Sequence, residues 1–287
     1  MMAKRRKKST YMTRQASRRR RRQSLNKSVL LLLIVAALFA GARYMLSQHK
    51  RGEGRQQFDN LTYVRTAPGL KEEIVNYKGM TVSFNSDLHI PNWVAWELTV
   101  DEAAGTESRA DRFYNDPDIK GCAWPEDYSG SGYDRGHMAP AGDMKWDKRA
   151  MEETFCMTNI APQDGNLNRG TWKKIEEKCR GRVVADSAVI IVCGPVLTEK
   201  PREYIGSSRV AVPQRFFKVI LSPWAETPQA IGFLVDNGPV AGGMQAAAVT
   251  VDEIEALTGH DFFSSLPDSI ENRLESTINF TRWSRLK

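Results

Sequence analysis

Histidine is scarce in this chain. Four occur in 287 residues, His49, His89, His137 and His260, and no two are close in sequence. Cysteine is as rare, with Cys122, Cys156, Cys179 and Cys193 and no Cys-x-x-Cys pair. A zinc cage of Cys and His ligands is therefore poorly supported. Four cysteines in an oxidising compartment allow three connectivities. Cys156 in TFCMTNI and Cys193 in AVIIVCGP sit in apolar runs and read as buried thiols. Cys122 lies in a loop and Cys179 near a helix end, so a single bridge is expected at Cys122–Cys179. No internal repeat is present, which excludes solenoid and propeller arrays. Acidic residues are absent from the first 27 positions, where 12 Lys/Arg accumulate. The remaining 260 residues hold 29 Lys/Arg against 34 Asp/Glu, a net of −5, although the whole chain carries +7. The basicity thus belongs to the tail, and any nucleic-acid contact in the body must come from a local patch.

Long hydrophobic runs are also lacking. The longest, Val29–Ala42, has 14 residues, short against the roughly 20 that span a bilayer. The basic segment 1–27 has no apolar face and reads as a disordered tail. Segment 28–47 reads as a signal anchor or a cleaved signal peptide, with Ala40-Gly41-Ala42 a small-residue cleavage site. A mitochondrial presequence is the third reading. The long basic flank favours the anchor, with the tail in the cytosol and the body outside it, periplasmic or extracellular. Residues 48–60 are polar and form a linker. Residues 61–287 read as one domain.

Within that domain MTVSFN and WVAWELTV look like strands, as do CMTNIAP, SAVIIVCGPVL, RVAVPQRFFKVILS and QAIGFLVDN. DKRAMEETF and NRGTWKKIEEKCR read as helices. TVDEIEALTG is a helix capped near Thr250 and stopped at Gly259. Strands and helices mix without βαβ alternation, which predicts an α+β fold with a largely antiparallel central sheet flanked by helices.

Against this shortage of histidine, one residue in SGYDRGHMAP stands out. His137 follows Asp134, Arg135 and Gly136, and a neutral imidazole can accept a proton near physiological pH. On the helix predicted from Asn168, Trp172, Ile175 and Cys179 share one face at about 100° per residue. Asn168, Glu176 and Arg180 border that stripe, placing an amide, a carboxylate and a guanidinium along its edge. Helix edges often carry such residues without function. His89 and His260 read as structural.

Taken together, Asp134-Arg135-Gly136-His137, Asn159-Ile160-Ala161-Pro162-Gln163, and Leu167-Asn168-Arg169 with Trp172 resemble the DNA/RNA non-specific endonuclease family. Pro91-Asn92-Trp93-Val94, Gly194-Pro195-Val196, VPQRFFKV and VTVDEIEALTG extend the likeness over roughly residues 60–270. Arg169 departs from the pattern, where Gln is commoner. The resemblance implies a ββα-metal finger bringing His and Asn together. It implies sugar-non-specific cleavage of DNA and RNA, with His137 as general base and Asn168 as the ligand of Mg²⁺, with Mn²⁺ as a substitute. Glu176 would hold a metal-associated water, and Arg180 and an upstream arginine would steady phosphate. Arg109 and Arg112 both fit the upstream place, with Arg109 preferred. Arg135 and Arg169 would touch substrate, and Asp134 would orient the finger. The membrane is an expected partner through the N-terminal segment, and a homodimer is compatible with the sequence. The rival readings are an inactive nucleic-acid-binding or structural protein on this fold, and a phosphodiesterase acting on other substrates.

Overall fold

The computed structural model describes residues 60–198 and 200–285. The basic tail, the apolar segment and most of the linker lie outside the described residues. Among the described residues no helix is long and apolar enough to cross a membrane.

The strands are β1 (Glu73–Asn76), β2 (Thr81–Asn85), β3 (Ile90–Thr99), β4 (Asp134–His137), β5 (Ile160–Gln163), β6 (Ala188–Pro195), β7 (Arg215–Ser222), β8 (Gln229–Asp236) and β9 (Ala248–Val249). Seven of them form one sheet in the order β9-β8-β7-β6-β3-β2-β1. Every neighbouring pair is antiparallel, as the lack of βαβ alternation predicted. The central strands β3, β6 and β7 are buried on both faces, so their runs are continuously apolar. One face carries Val94, Trp96, Ile191, Phe216 and Ile220. The other carries Trp93, Ala95, Val192, Phe217 and Val219.

The helices are α1 (Lys148–Glu153), α2 (Lys173–Asp186), α3 (Val251–Thr258) and α4 (Asp268–Glu275). Helix α2 and the β4–β5 hairpin pack on the first face through Ile175, Cys179, Val183 and Ile160. Helices α3 and α4 pack on the second through Ile254 and Leu274. Helix α3 begins at Thr250, whose hydroxyl accepts from the Glu253 N–H in a capping box, and ends at Gly259 in the left-handed region. These are the signals that set its bounds in the sequence.

Three expectations need correction. CMTNIAP is not one strand: Met157–Asn159 form a 3-10 turn before β5. RVAVPQRFFKVILS is broken, because Pro213 has no N–H for a ladder, and only Val210–Ala211 and β7 are extended. The bridge Cys122–Cys179 does not form. All four cysteines are buried thiols. The Cys122 thiol instead hydrogen-bonds Cys156, which also receives Tyr77 Oη at 3.2 Å and Thr158 Oγ1 at 3.3 Å. Those donors hold the Cys156 thiol down at about 6 against its burial.

Behind the second face, carboxylate oxygens of Asp252, Glu255 and Glu275 lie within 4.8 Å of one another. Burial, reinforced by the neighbouring acids, pushes Glu275 up to about 9. A carboxyl raised in the folded state adds stability below its unfolded value near 4.5, and that stability is lost as pH rises through about 9. Glu275→Gln, neutral at every pH, should therefore melt roughly 10 °C or more above wild type at pH 8 and match it near pH 4.5. Thermal melts across pH check this, and a constant difference would contradict it.

Candidate active site

The site is assembled from one hairpin and one helix. Strand β4 pairs with β5, placing His137 opposite Ile160 and Gly136 opposite Ala161. Gly136 is required by close approach: a Cβ there would meet Gln163 Oε1 at 2.5 Å and Gln163 Cβ at 2.6 Å. Asn159 closes the hairpin's far end by binding both the N–H and the carbonyl of Ala139 at 2.9 Å.

The helix does not start cleanly at Asn168, as the sequence suggested. A short turn, Gly165–Leu167, is capped by Asp164. A wide turn follows at Asn168–Trp172, with Gly170 outside helical geometry, and regular helix α2 begins only at Lys173. Trp172, Ile175 and Cys179 form the buried stripe as expected. Wide turns of this kind reorient a side chain without ending the helix.

Asp134 ties the two elements together. Its Oδ2 accepts from Asn168 Nδ2 at 2.9 Å and its Oδ1 from Arg169 at 3.0 Å. With its amide nitrogen committed, Asn168 presents its carbonyl oxygen as the remaining acceptor. Trp172 adds a second tie, its indole N–H donating to the His137 carbonyl at 3.2 Å.

The His137 ring stands edge-on to Phe155 at 4.9 Å and beside Phe113 at 5.3 Å. Its Nε2 is covered and has no hydrogen-bond partner. Burial, with the Arg109 charge adding to it, pushes His137 down to about 3. The expectation that it titrates near neutrality is thus corrected: in the substrate-free protein the imidazole is neutral throughout the physiological range.

Glu176 sits half-buried on α2. Burial pushes it up to about 7, opposed by Lys218, Arg180 and Arg109 and reinforced by Asp143. Arg180 donates to Asp143 Oδ1 at 2.7 Å, and Trp96 Nε1 donates to Asp143 Oδ2 at 3.1 Å. Arg109 lies over the Phe155 ring at 5.0 Å, within electrostatic reach of both His137 and Glu176. Arg112 is exposed like Arg109, and of the two it is Arg109 that lies over the Phe155 ring beside His137. Arg135 braces the Pro125 loop beside Phe113. Its guanidinium donates twice to the Pro125 carbonyl, at 2.6 and 3.2 Å, and lies over Phe113 and Tyr128. Arg169 has its side chain 73% exposed beside Asp134.

His137, Asn168, Glu176, Arg180 and Arg109 are therefore gathered around one surface. Asp143, Lys218, Phe113 and Phe155 are not apparent from sequence motifs. Asp143 follows Pro-Ala-Gly in a loop with no periodic signal. Lys218 does carry a signal, as the single charged residue within the apolar run of strand β7 after Arg215. His89 and His260 have structural partners, the Gly121 carbonyl at 2.7 Å and the Ala67 N–H at 3.0 Å.

The geometry agrees with comparisons to known proteins. The family description "DNA/RNA non-specific endonuclease" matches residues 59–269. The mitochondrial nuclease EXOG of Mus musculus is 35% identical over 219 residues, covering 70% of this chain and 60% of the relative. The chain thus spans less than two thirds of that relative's length. A nuclease of a Nostoc strain is 34% identical over 213 residues, covering 69% of this chain and 76% of the relative. A solved EndoG/EndoGI complex superposes with a TM-score of 0.66 at 27% identity, covering 75% of this chain and 92% of the solved one. The α+β fold is that of this ββα-metal nuclease. The chain belongs to the DNA/RNA non-specific endonuclease family.

Proposed function

We propose that this chain is a metal-dependent endonuclease that hydrolyses phosphodiester bonds of DNA and RNA without sequence preference. The observation that carries this reading is the Asp134 carboxylate, which holds the Asn168 amide on the hairpin that carries His137. A dead binding protein on the same fold has no need of a proton acceptor and an oxygen ligand held in register.

The residues fit a hard divalent cation. The carbonyl oxygen of Asn168 and the carboxylate of Glu176 are oxygen donors, which suit Mg²⁺ or Mn²⁺, and no thiol or second imidazole is offered for Zn²⁺. When bound, the cation would neutralise phosphate charge and stabilise the departing 3′-oxygen. Asn168 would hold it, and Glu176 would accept hydrogen bonds from its waters. His137 takes the proton of the attacking water. Burial keeps the imidazole in the neutral acceptor form in the free protein. Arg109 and Arg180 steady the negative charge that grows on phosphate. Exposed Arg169 supplies a sugar- and base-independent contact, which positions nucleic acid without reading sequence. Arg135 supports the site through the Pro125 loop. The N-terminal segment directs the body out of the cytosol, to an exported or membrane-anchored state or, as in the mitochondrial relatives, into that organelle. A homodimer is compatible with this reading.

His137→Ala should lower plasmid cleavage by at least about a hundredfold while the protein still folds. Asn168→Ala should be comparably weak, and Asn168→Asp should regain cation binding without the full rate, because its added charge opposes phosphate. EDTA should stop the wild type, and Mg²⁺ or Mn²⁺ should restart it. Initial rates against metal concentration for these proteins, on single- and double-stranded DNA and RNA, test the assignment. Wild-type behaviour of Asn168→Ala would overturn it.

A second outcome concerns pH. Glu176 holds its proton below about 7 in the cation-free protein, so divalent binding must displace that proton and weakens as pH falls. The Mg²⁺ concentration for half-maximal rate should climb about tenfold per pH unit well below 7, and Glu176→Gln should lose that slope. A pH-independent requirement in the wild type would remove Glu176 from the cation's surroundings.

Salt supplies a third. Phosphate contacts release counterions, so the cleavage rate at low substrate concentration should fall as salt rises. A rate indifferent to salt would point instead to a small phosphodiester substrate.

A further inference from the structure

Lys218 is fully buried in the middle of β7, on the face that α2 covers. Its ammonium has no oxygen partner and meets the Cys193 thiol of the neighbouring strand. It lies instead between two indoles, 4.4 Å from the Trp172 ring centroid and 5.0 Å from that of Trp96. Both distances are well inside cation–π range. A buried ammonium is costly unless it is compensated. A methionine would fill much the same length of chain without that cost. The compensation here is aromatic and electrostatic: two ring faces, with the Cys193 thiol and the carboxylates of Glu176 and Asp143 within reach.

The two indoles are not inert walls. Trp172 donates its N–H to the His137 carbonyl at 3.2 Å, and it lies one turn after Asn168 in the irregular start of the helix. Trp96 donates its N–H to Asp143 at 3.1 Å, and Asp143 in turn holds Arg180 at 2.7 Å. Both polar ends of this sandwich therefore terminate at residues of the site, one on the hairpin and one on the phosphate-binding side. An indole held on one face by a cation cannot tilt without losing that attraction, and its N–H tilts with it.

We propose that Lys218 is a positioning residue for this site: clamped between Trp96 and Trp172, its ammonium fixes both indoles so that their N–H groups hold the His137 strand and the Asp143–Arg180 pair in register. This rests on the reading of His137 and Arg180 given above. Lys218 touches neither substrate nor the reacting atoms. Its action is geometric, and displacements near 1 Å at a reacting centre cost about a hundredfold in rate.

The test uses the purified full chain. Lys218→Met is expected to melt within a few degrees of wild type, yet to lose roughly ten- to a hundredfold in kcat with little change in KM. Lys218→Arg, which keeps a cation between the rings, is expected to recover a large part of the loss. Trp96→Phe keeps a ring but removes the N–H. Its loss should vanish in the Arg180→Ala background, because both changes act through one group. A merely structural lysine would lower the melting temperature and leave kcat per folded molecule unchanged. Lys218→Met with kcat within about twofold of wild type overturns the proposal. So do fully additive losses in the Trp96→Phe and Arg180→Ala cycle, which decides the matter even where Lys218→Met does not fold. His137→Ala is run alongside. If it is inactive while Lys218→Met is fully active, the clamp alone is wrong. If His137→Ala is fully active, the reading of the site itself has failed.

Discussion

The carboxylate of Asp134 is the constraint on which the site depends. A hairpin and a helix that meet only through apolar side chains can slide by a fraction of an ångström at little cost. A carboxylate accepting from Asn168 on one oxygen and Arg169 on the other cannot. Charge-assisted hydrogen bonds are short and directional, so the pairing fixes which way the Asn168 amide faces. The same contact explains why the helix begins irregularly. A regular turn from Asn168 would carry the amide round with the helix, whereas the wide turn over Asn168–Trp172, relieved at Gly170, lets Asn168 face Asp134 while Trp172 and Ile175 stay in the core.

Around that contact the chain places an unusual amount of charge against its core. Asp143 and Lys218 are buried on one face of the sheet, with half-buried Glu176 and Arg180 beside them. In a low-dielectric setting each such charge is strongly felt by the next. Burial is the main cause that drives His137 down and Glu176 up, and the neighbouring charges modify both shifts. The imidazole is desolvated and faces Arg109. The carboxylate is desolvated and faces Asp143, against cations that only partly offset the cost. On the proposed reading the two shifts serve one end, a neutral acceptor beside a carboxylate that would give up its proton to a cation.

Much of the fold is legible in the sequence because period and punctuation agree. Strands β2, β3 and β8 and helix α3 lie where alternation, caps and Gly259 put them. The failures are tertiary. Pro213 and the turn over Met157–Asn159 break runs that look continuous when only apolarity is read. The cysteine pairing fails because loop or helix context says nothing of which thiols meet: Cys122 reaches Cys156, while Cys179 belongs to the buried stripe of α2. At the site, spaced motifs single out His137, Asn168, Glu176 and Arg180 as candidates, and a ring contact with Phe155 separates Arg109 from Arg112. Arg135, inside the most conspicuous motif, is occupied by Pro125, which no spacing reveals. Asp143 leaves no local trace. Lys218 does, because a lysine with apolar neighbours on both sides in a central strand must find a compensating partner or remain uncharged.

The charge balance of the body follows from the same division between surface and interior. The 260 residues after the basic tail, with a net of −5, have no broad positive field with which to attract a polyanion. Attraction must be local, and the cations that could provide it are split between two roles. Exposed Arg169 and Arg109 face solvent around the site, where contact with phosphate is free of a large desolvation cost. Arg180 and Lys218 are drawn inward and held by Asp143 or between indoles, where a fixed charge acts most strongly on its neighbours. Fixed interior charges need no reorganisation when the phosphate gains negative charge in the transition state. On the proposed reading the exterior arginines bind any backbone that presents phosphates, Arg109 and Arg180 steady the charge that grows there, and Lys218 acts only by holding the indoles in place.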